Sequence, residues 1–165
     1  MRHIISLLVS NESGALARVS ALFSTRGYNI ESLNVAPTQN PEISRLTMVT
    51  SGSDTVIQQI NQQILKLVDI VDTADMTLAD HIERELLLLK VRLEKETVGE
   101  AREAVEDFGA RVLDDSVETY TLELTGISEY LDEFIKRIGS CGELVSVVRS
   151  GAMAVARGEG RLAQG

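Results

Sequence analysis

Two short segments hold the residue types that could do chemistry in this chain. The first, Asn11-Glu12-Ser13-Gly14-Ala15-Leu16, follows the apolar run Ile4-Ile5-Ser6-Leu7-Leu8-Val9 and opens a helical pattern. The second, Arg26-Gly27-Tyr28-Asn29-Ile30-Glu31-Ser32-Leu33, closes that helix at Gly27 and starts another strand. A strand that enters a polar, glycine-containing turn at a helix start presents backbone N–H groups with no intrahelical partner, at the positive end of the helix dipole. That end suits a small carboxylate. A plainer reading of the same residues stands beside it: Asn and Ser are common helix N-caps, and Gly14 permits a tight turn.

Catalysis would need a nucleophile with a base, paired carboxylates in a cleft, or metal ligands. His3 in the first strand and His81 in the linker read as surface histidines, remote in sequence from each other and from Cys141. A single cysteine allows neither an intramolecular disulfide nor a cysteine zinc cluster, and Cys141 reads as an inert, packed thiol. Asp69, Asp72 and Asp75 recur every third residue through a stretch read as a strand. There they alternate faces, which reads as a solvated edge. Gly158-Glu159-Gly160 lacks the strand-then-helix setting of a nucleotide loop. No catalytic residue and no metal ligand is assigned.

The 165 residues fit one ordinary domain or two small ones. With aromatic content of 4% and no Trp, the cores must be aliphatic. A net charge of −9 speaks against nucleic acid, because phosphate backbones call for clustered Lys and Arg. The apolar runs fall far short of the roughly 20 residues that span a bilayer, and no cleavable signal segment is read at the N-terminus. No membrane association is expected, and the expected location is the cytoplasm.

The elements that must position the two segments occur in the same order twice. A strand over 3–10 precedes a helix over 14–26 with Leu16, Val19, Leu22 and Phe23 on one face. Strands over 29–38 and 43–50 form a hairpin around Pro37 and Pro41. Ser53 and Asp54 open a second helix with an Ile57, Ile60, Ile64, Leu67 stripe, and 68–76 is the fourth strand. The second half repeats this order. A strand spans 85–94, Thr97 and Glu100 form a capping-box pattern, and the helix turns Ala101, Ala104, Val105 and Phe108 inward. Strands over 110–115 and 118–125 follow, then a helix capped by Ser128 with Leu131, Phe134, Ile135 and Ile138, and a strand over 144–149. From Ser150 the Gly/Ala-rich tail, with its Arg157-to-Arg161 cluster, reads as poorly anchored.

The expected fold class is therefore α+β: two ferredoxin-like βαββαβ units in tandem, residues 1–77 and 83–165. The first strand is apolar on both parities, so both faces of its sheet need cover, and a homodimer is expected to supply it. The three Phe all fall on helices, away from the strands where an RNA-binding sheet of this order would stack bases.

NESGAL together with RGYNIESLNVAPT resembles the ACT domain of acetohydroxyacid (acetolactate) synthase regulatory subunits. The likeness is densest from Arg2 to Thr47 and extends through Lys66-Leu67-Val68-Asp69. In the second half it rests on His81-Ile82-Glu83-Arg84-Glu85 and Val148-Arg149-Ser150-Gly151. This resemblance implies a non-catalytic regulatory subunit that activates a separate catalytic subunit and confers valine feedback inhibition. It places valine on Asn11 and on the backbone around Gly14, Ala15 and Leu16, with Asn29 and Ile30 of a neighbouring copy completing the pocket. It assigns thiamine diphosphate, FAD and magnesium to the catalytic partner, and no cofactor to this chain. An ACT-type sensor serving another enzyme or a transcription system is the alternative. The sequence leaves open the preference among branched-chain amino acids, the docking surface and the stoichiometry.

Overall fold

The computed structural model describes residues 1–116, 118–158 and 162. The chain divides into two compact units, Met1–Glu83 together with the segment from Gly151, and Arg84–Ser150.

In the first unit the order is β1 (Arg2–Ser10), α1 (Ala15–Thr25), β2 (Ile30–Pro37), β3 (Ile43–Ser51), α2 (Asp54–Ile64) and β4 (Ile70–Asp75), followed by a 3-10 turn at Met76–Leu78. The strands lie in the order β2-β3-β1-β4, each pair antiparallel. This is the split βαβ arrangement that the element order implies. Strand periodicity sends Ile5, Leu7 and Val9 to one face, where they meet Val19 and Phe23 of α1 and Ile57, Ile60 and Ile64 of α2. Ile4 faces the other way with Val49 and Met76. Both faces of β1 are thus buried, which is why its sequence is apolar on both parities.

What covers the second face differs from the expectation. A further strand, β9 (Met153–Ala156), belongs to the segment read as a loose tail. Its Ala154, with Ala152 just before it, packs on Ile4, Val49 and Met76. The Ala152 amide donates to Ser32 Oγ at 3.0 Å, and the Arg157 amide donates to Asp80 O at 2.9 Å. Small side chains let this backbone lie close to the sheet. By its contacts the segment from Gly151 groups with Met1–Glu83, whereas the expected division ran 1–77 and 83–165. In the Arg157-to-Arg161 cluster, residues 159–161 lie outside the described residues. The face cover that suggested a second subunit is supplied by the chain itself.

β5 (His81–Leu93) begins in the first unit and continues into the second. There α3 (Val98–Phe108), β6 (Arg111–Asp114), β7 (Thr119–Gly126), α4 (Ser128–Gly139) and β8 (Gly142–Arg149) repeat the topology, with strand order β6-β7-β5-β8 and β9 also paired to β5. Leu87, Leu89 and Val91 of β5 meet Leu122 and Leu124 of β7, Ala101 and Ala104 of α3, and Leu131, Phe134 and Ile138 of α4. Cys141 is buried in the same cluster. At one end of β5 the buried Glu85 accepts from Arg149 Nε at 3.0 Å and Nη2 at 2.6 Å, and from Ser128 Oγ at 3.1 Å. Arg149 also reaches the exposed Asp132 at 2.5 Å, and these carboxylates, Glu85 foremost, raise its already high pKa.

Two expected caps are built otherwise. Thr97 occupies the N-cap position of α3 but its side chain makes no cap bond; its single hydroxyl hydrogen is shared between Glu94 O and Cys141 O. Ser128 is the first residue of α4 rather than its cap, because its hydroxyl is committed to Glu85. Ser53 does cap α2, accepting from the Val56 amide at 3.4 Å.

Candidate functional site

The β1–α1 turn is held by backbone and side-chain bonds from both directions. The Asn11 amide donates to Glu42 O at 2.7 Å, and Asn11 Nδ2 donates to Pro41 O at 2.9 Å, tying the turn to the β2–β3 loop. The Glu12 amide donates to Ser10 O at 2.8 Å, which tightens the chain before the helix. Gly14 then takes φ +89° and immediately precedes α1. An L side chain there costs about 1–2 kcal/mol of backbone strain, so glycine is the residue this turn requires. From Ala15 on, the helix closes normally: the Arg18 amide donates to Gly14 O at 3.0 Å. The amides of Leu16 and Ala17 have no carbonyl one turn back within the helix. Ala15 is buried in the core, whereas Asn11 and Gly14 are exposed and Leu16 presents an exposed apolar side chain. Between Ser10–Glu12 and Asn40–Ile43 lies a polar cleft of about 460 Å³.

Asn29 and Ile30 lie elsewhere on the unit. Ile30 pairs with Thr50, which pairs with His3, whereas the glycine turn follows Ser10 at the far end of β1. His3 and Ser10 are about 23 Å apart along β1 at the usual strand rise. Asn29 is exposed and its carbonyl accepts from Thr50 Oγ1 at 2.7 Å, while Ile30 packs against the core. One copy of the chain brings Asn11, Gly14, Ala15 and Leu16 together and leaves Asn29 and Ile30 at a distance.

Two residues that the sequence reading did not assign to the site define its charge. Arg18 follows Gly14 by one helical turn, and helix side chains lean toward the N-terminus, so its guanidinium lies back over the glycine. Its Nε donates to Asp69 Oδ2 at 2.5 Å and its Nη2 to Asp69 Oδ1 at 2.7 Å. A Cβ added at Gly14 would stand 2.9 Å from the remaining Nη1. Asp69 is not on a solvated edge: its side chain is 7% exposed, and its carbonyl accepts from the Ser10 amide at 2.8 Å. The bond from Arg18, opposed by desolvation, holds the Asp69 carboxyl below its usual range. The same bond raises Arg18, with Glu12 adding a smaller electrostatic pull. The clue in the sequence was the Arg at Gly14 plus four, one turn above the loop.

His3 is likewise buried rather than at the surface. Its Nε2 is 3.5 Å from Asp54 and its Nδ1 is 3.7 Å from Asp75, and neither ring nitrogen makes a hydrogen bond among the described residues. Asp75 caps the 3-10 turn through the Thr77 amide. Among the described residues no group of three His, Cys, Asp or Glu could hold a metal ion, and no helix is long and apolar enough to cross a membrane.

Four antiparallel strands, two helices on one face and a glycine turn opening the first helix define the first unit as an ACT domain. Residues 5–72 match the family described as the AHAS small subunit-like ACT domain, and residues 84–158 match the small subunit of acetolactate synthase. The chain is 43% identical over 159 residues to the acetolactate synthase isozyme 3 small subunit of Escherichia coli, covering 96% of this chain and 98% of that protein. It is 42% identical over 158 residues to the acetolactate synthase small subunit of Buchnera aphidicola, covering 96% and 100%. The crystal structure of the acetolactate synthase small subunit from Thermotoga maritima matches with a TM-score of 0.85 at 33% identity, over 95% of this chain and 98% of that one. The chain belongs to the acetolactate synthase small-subunit family.

Proposed function

We propose that this chain activates an acetolactate synthase catalytic subunit and makes it sensitive to valine. The observation that carries the reading is the exposed glycine turn, with a fixed guanidinium above it and an exposed leucine beside it. A carboxylate suits the first-turn amides and the cation, and a branched aliphatic side chain suits Leu16. Because Asn29 and Ile30 lie a strand's length away, a neighbouring copy supplies them in a homodimer, with valine lodged between the copies. Thiamine diphosphate, FAD and magnesium reside in the catalytic subunit, and the complex works in the cytoplasm. Valine lowers activity through linkage, which requires that it bind the less active arrangement of the complex more tightly.

The test is calorimetric titration of the full chain with valine, leucine, isoleucine and alanine, alone and with the catalytic subunit. Saturable binding that favours valine is expected. Gly14→Asp adds backbone strain and a carboxylate within reach of Arg18. Valine inhibition of the reconstituted enzyme should be lost while activation persists. Gly14→Ala serves as the control for strain without charge. Undiminished valine inhibition of the Gly14→Asp complex would rule out the proposed pocket.

A further inference from the structure

We propose that the pocket between α3 and the β6–β7 hairpin docks a basic segment of the catalytic subunit, which inserts one large apolar side chain among Ala101, Val105, Val112 and Leu122. This rests on the activating role proposed above and adds to it the surface by which the catalytic subunit is gripped. The buried residues of α3 are the small Ala101 and Ala104, and β6 is an edge strand whose Val112 is 47% exposed. Helix and edge strand thus leave between them a pocket of about 250 Å³ with an apolar floor. That volume lies below the roughly 300–1,000 Å³ of small-molecule sites. It suits a single buried anchor residue, the kind that dominates protein interfaces. Charge then selects the partner. Arg102, Glu106 and Asp115 stand at the rim, exposed and in no ion pair among the described residues. Residues 98–118 hold seven carboxylates and two arginines, and so carry −5 of the chain's −9. Arg111 is committed to Glu123 at 2.9 Å, which leaves Arg102 as the one unpaired cation of the stretch. A two-fold contact between copies of this chain would set one such acidic surface against another. A partner segment with Lys or Arg beside its apolar anchor meets the carboxylates instead.

The experiment measures association of the full-length protein with the catalytic subunit by interferometry at about 0.1 M and about 1 M salt, between which the Debye length falls from about 10 to about 3 Å. The wild type should bind more weakly at the higher salt. The double variant Glu106→Lys/Asp115→Lys should bind at least about tenfold more weakly than wild type at low salt, and the gap should narrow to about threefold at high salt. Val112→Trp fills the pocket from an exposed position and should weaken binding at least about tenfold at both salts. Hydrogen exchange on β5 and α4 reports whether each variant keeps its fold; should Val112→Trp lose protection there, the exposed charge variant alone decides. Variants that bind the catalytic subunit as the wild type does, at both salts, would overturn the docking site and leave activation standing. So would a change confined to self-association of the full chain in sedimentation. A wild type that does not bind the catalytic subunit would overturn the activating role itself, and this docking site with it.

Discussion

Removing the Glu85 carboxylate should separate a buried ion pair from an exposed one on the same arginine. The Glu85 side chain is 5% exposed and accepts three hydrogen bonds, two from Arg149 and one from Ser128. Breaking a fully buried pair from one side costs about 3–5 kcal/mol. Arg149, however, is 30% exposed and keeps Asp132 at 2.5 Å, so its stranded charge is partly hydrated. A loss of about 2–3 kcal/mol follows for Glu85→Ala. Asp132 is 63% exposed, and a pair of that kind contributes about 0–1 kcal/mol. Urea unfolding of the full chain, with hydrogen exchange followed on β5 and α4, reads the second unit separately. For a domain of this size each kcal/mol also lowers Tm by about 4–8 °C. Glu85→Ala should melt the second unit well before Asp132→Ala does. Equal losses from the two substitutions, or a neutral Glu85→Ala, would refute the reasoning from burial.

Two more outcomes are expected. Asp69 has its native pKa below the ordinary carboxylate value of 3.8, so its pairing stabilises the fold above that value and is lost as pH falls toward the lowered one. Asp69→Asn should therefore flatten the acid limb of stability below about pH 4 in a pH series of urea melts; an unchanged acid limb would argue against the pair. At Gly151, φ is +78° and a Cβ would stand 2.9 Å from Ser32 Oγ and 3.2 Å from Leu33 O. Gly151→Ala should loosen the tail and raise hydrogen exchange at 152–156 while leaving α3 and α4 protected.

Periodicity made both βαββαβ orders legible, because the helices and the central strands β1, β3, β5 and β7 carry apolar stripes. Long-range partners were not legible. Asp69 was read with Asp72 and Asp75 as part of one strand, but a turn closed by the Ile70 amide on Leu67 O precedes β4. That turn takes Asp69 off the alternation and swings it under Arg18, fifty-one residues away in sequence. His3 is an ordinary polar residue in the sequence, and it is buried where β1 pairs with β3 and Asp54 and Asp75 flank its ring. Thr97 and Ser128 fit the local pattern of caps, yet each hydroxyl serves a partner that sequence proximity does not reveal. At the glycine turn, residue types sufficed for Asn11 to Leu16, whereas Arg18 required the direction in which a helical side chain leans.

The return of the chain to its first unit has a consequence for how the protein is made. β1, β3 and the Met76 turn emerge from the ribosome early, but Ala152 and Ala154, which cover Ile4 and Val49, emerge some seventy residues after Glu83. At about 5–20 residues per second, that interval is about 4–14 s. Through it the nascent sheet carries an uncovered aliphatic patch, and the intervening second unit, contiguous in sequence, is free to fold first. A fragment ending at Glu83 is held permanently at that stage, so the isolated first unit is a stickier object than the same residues within the whole chain.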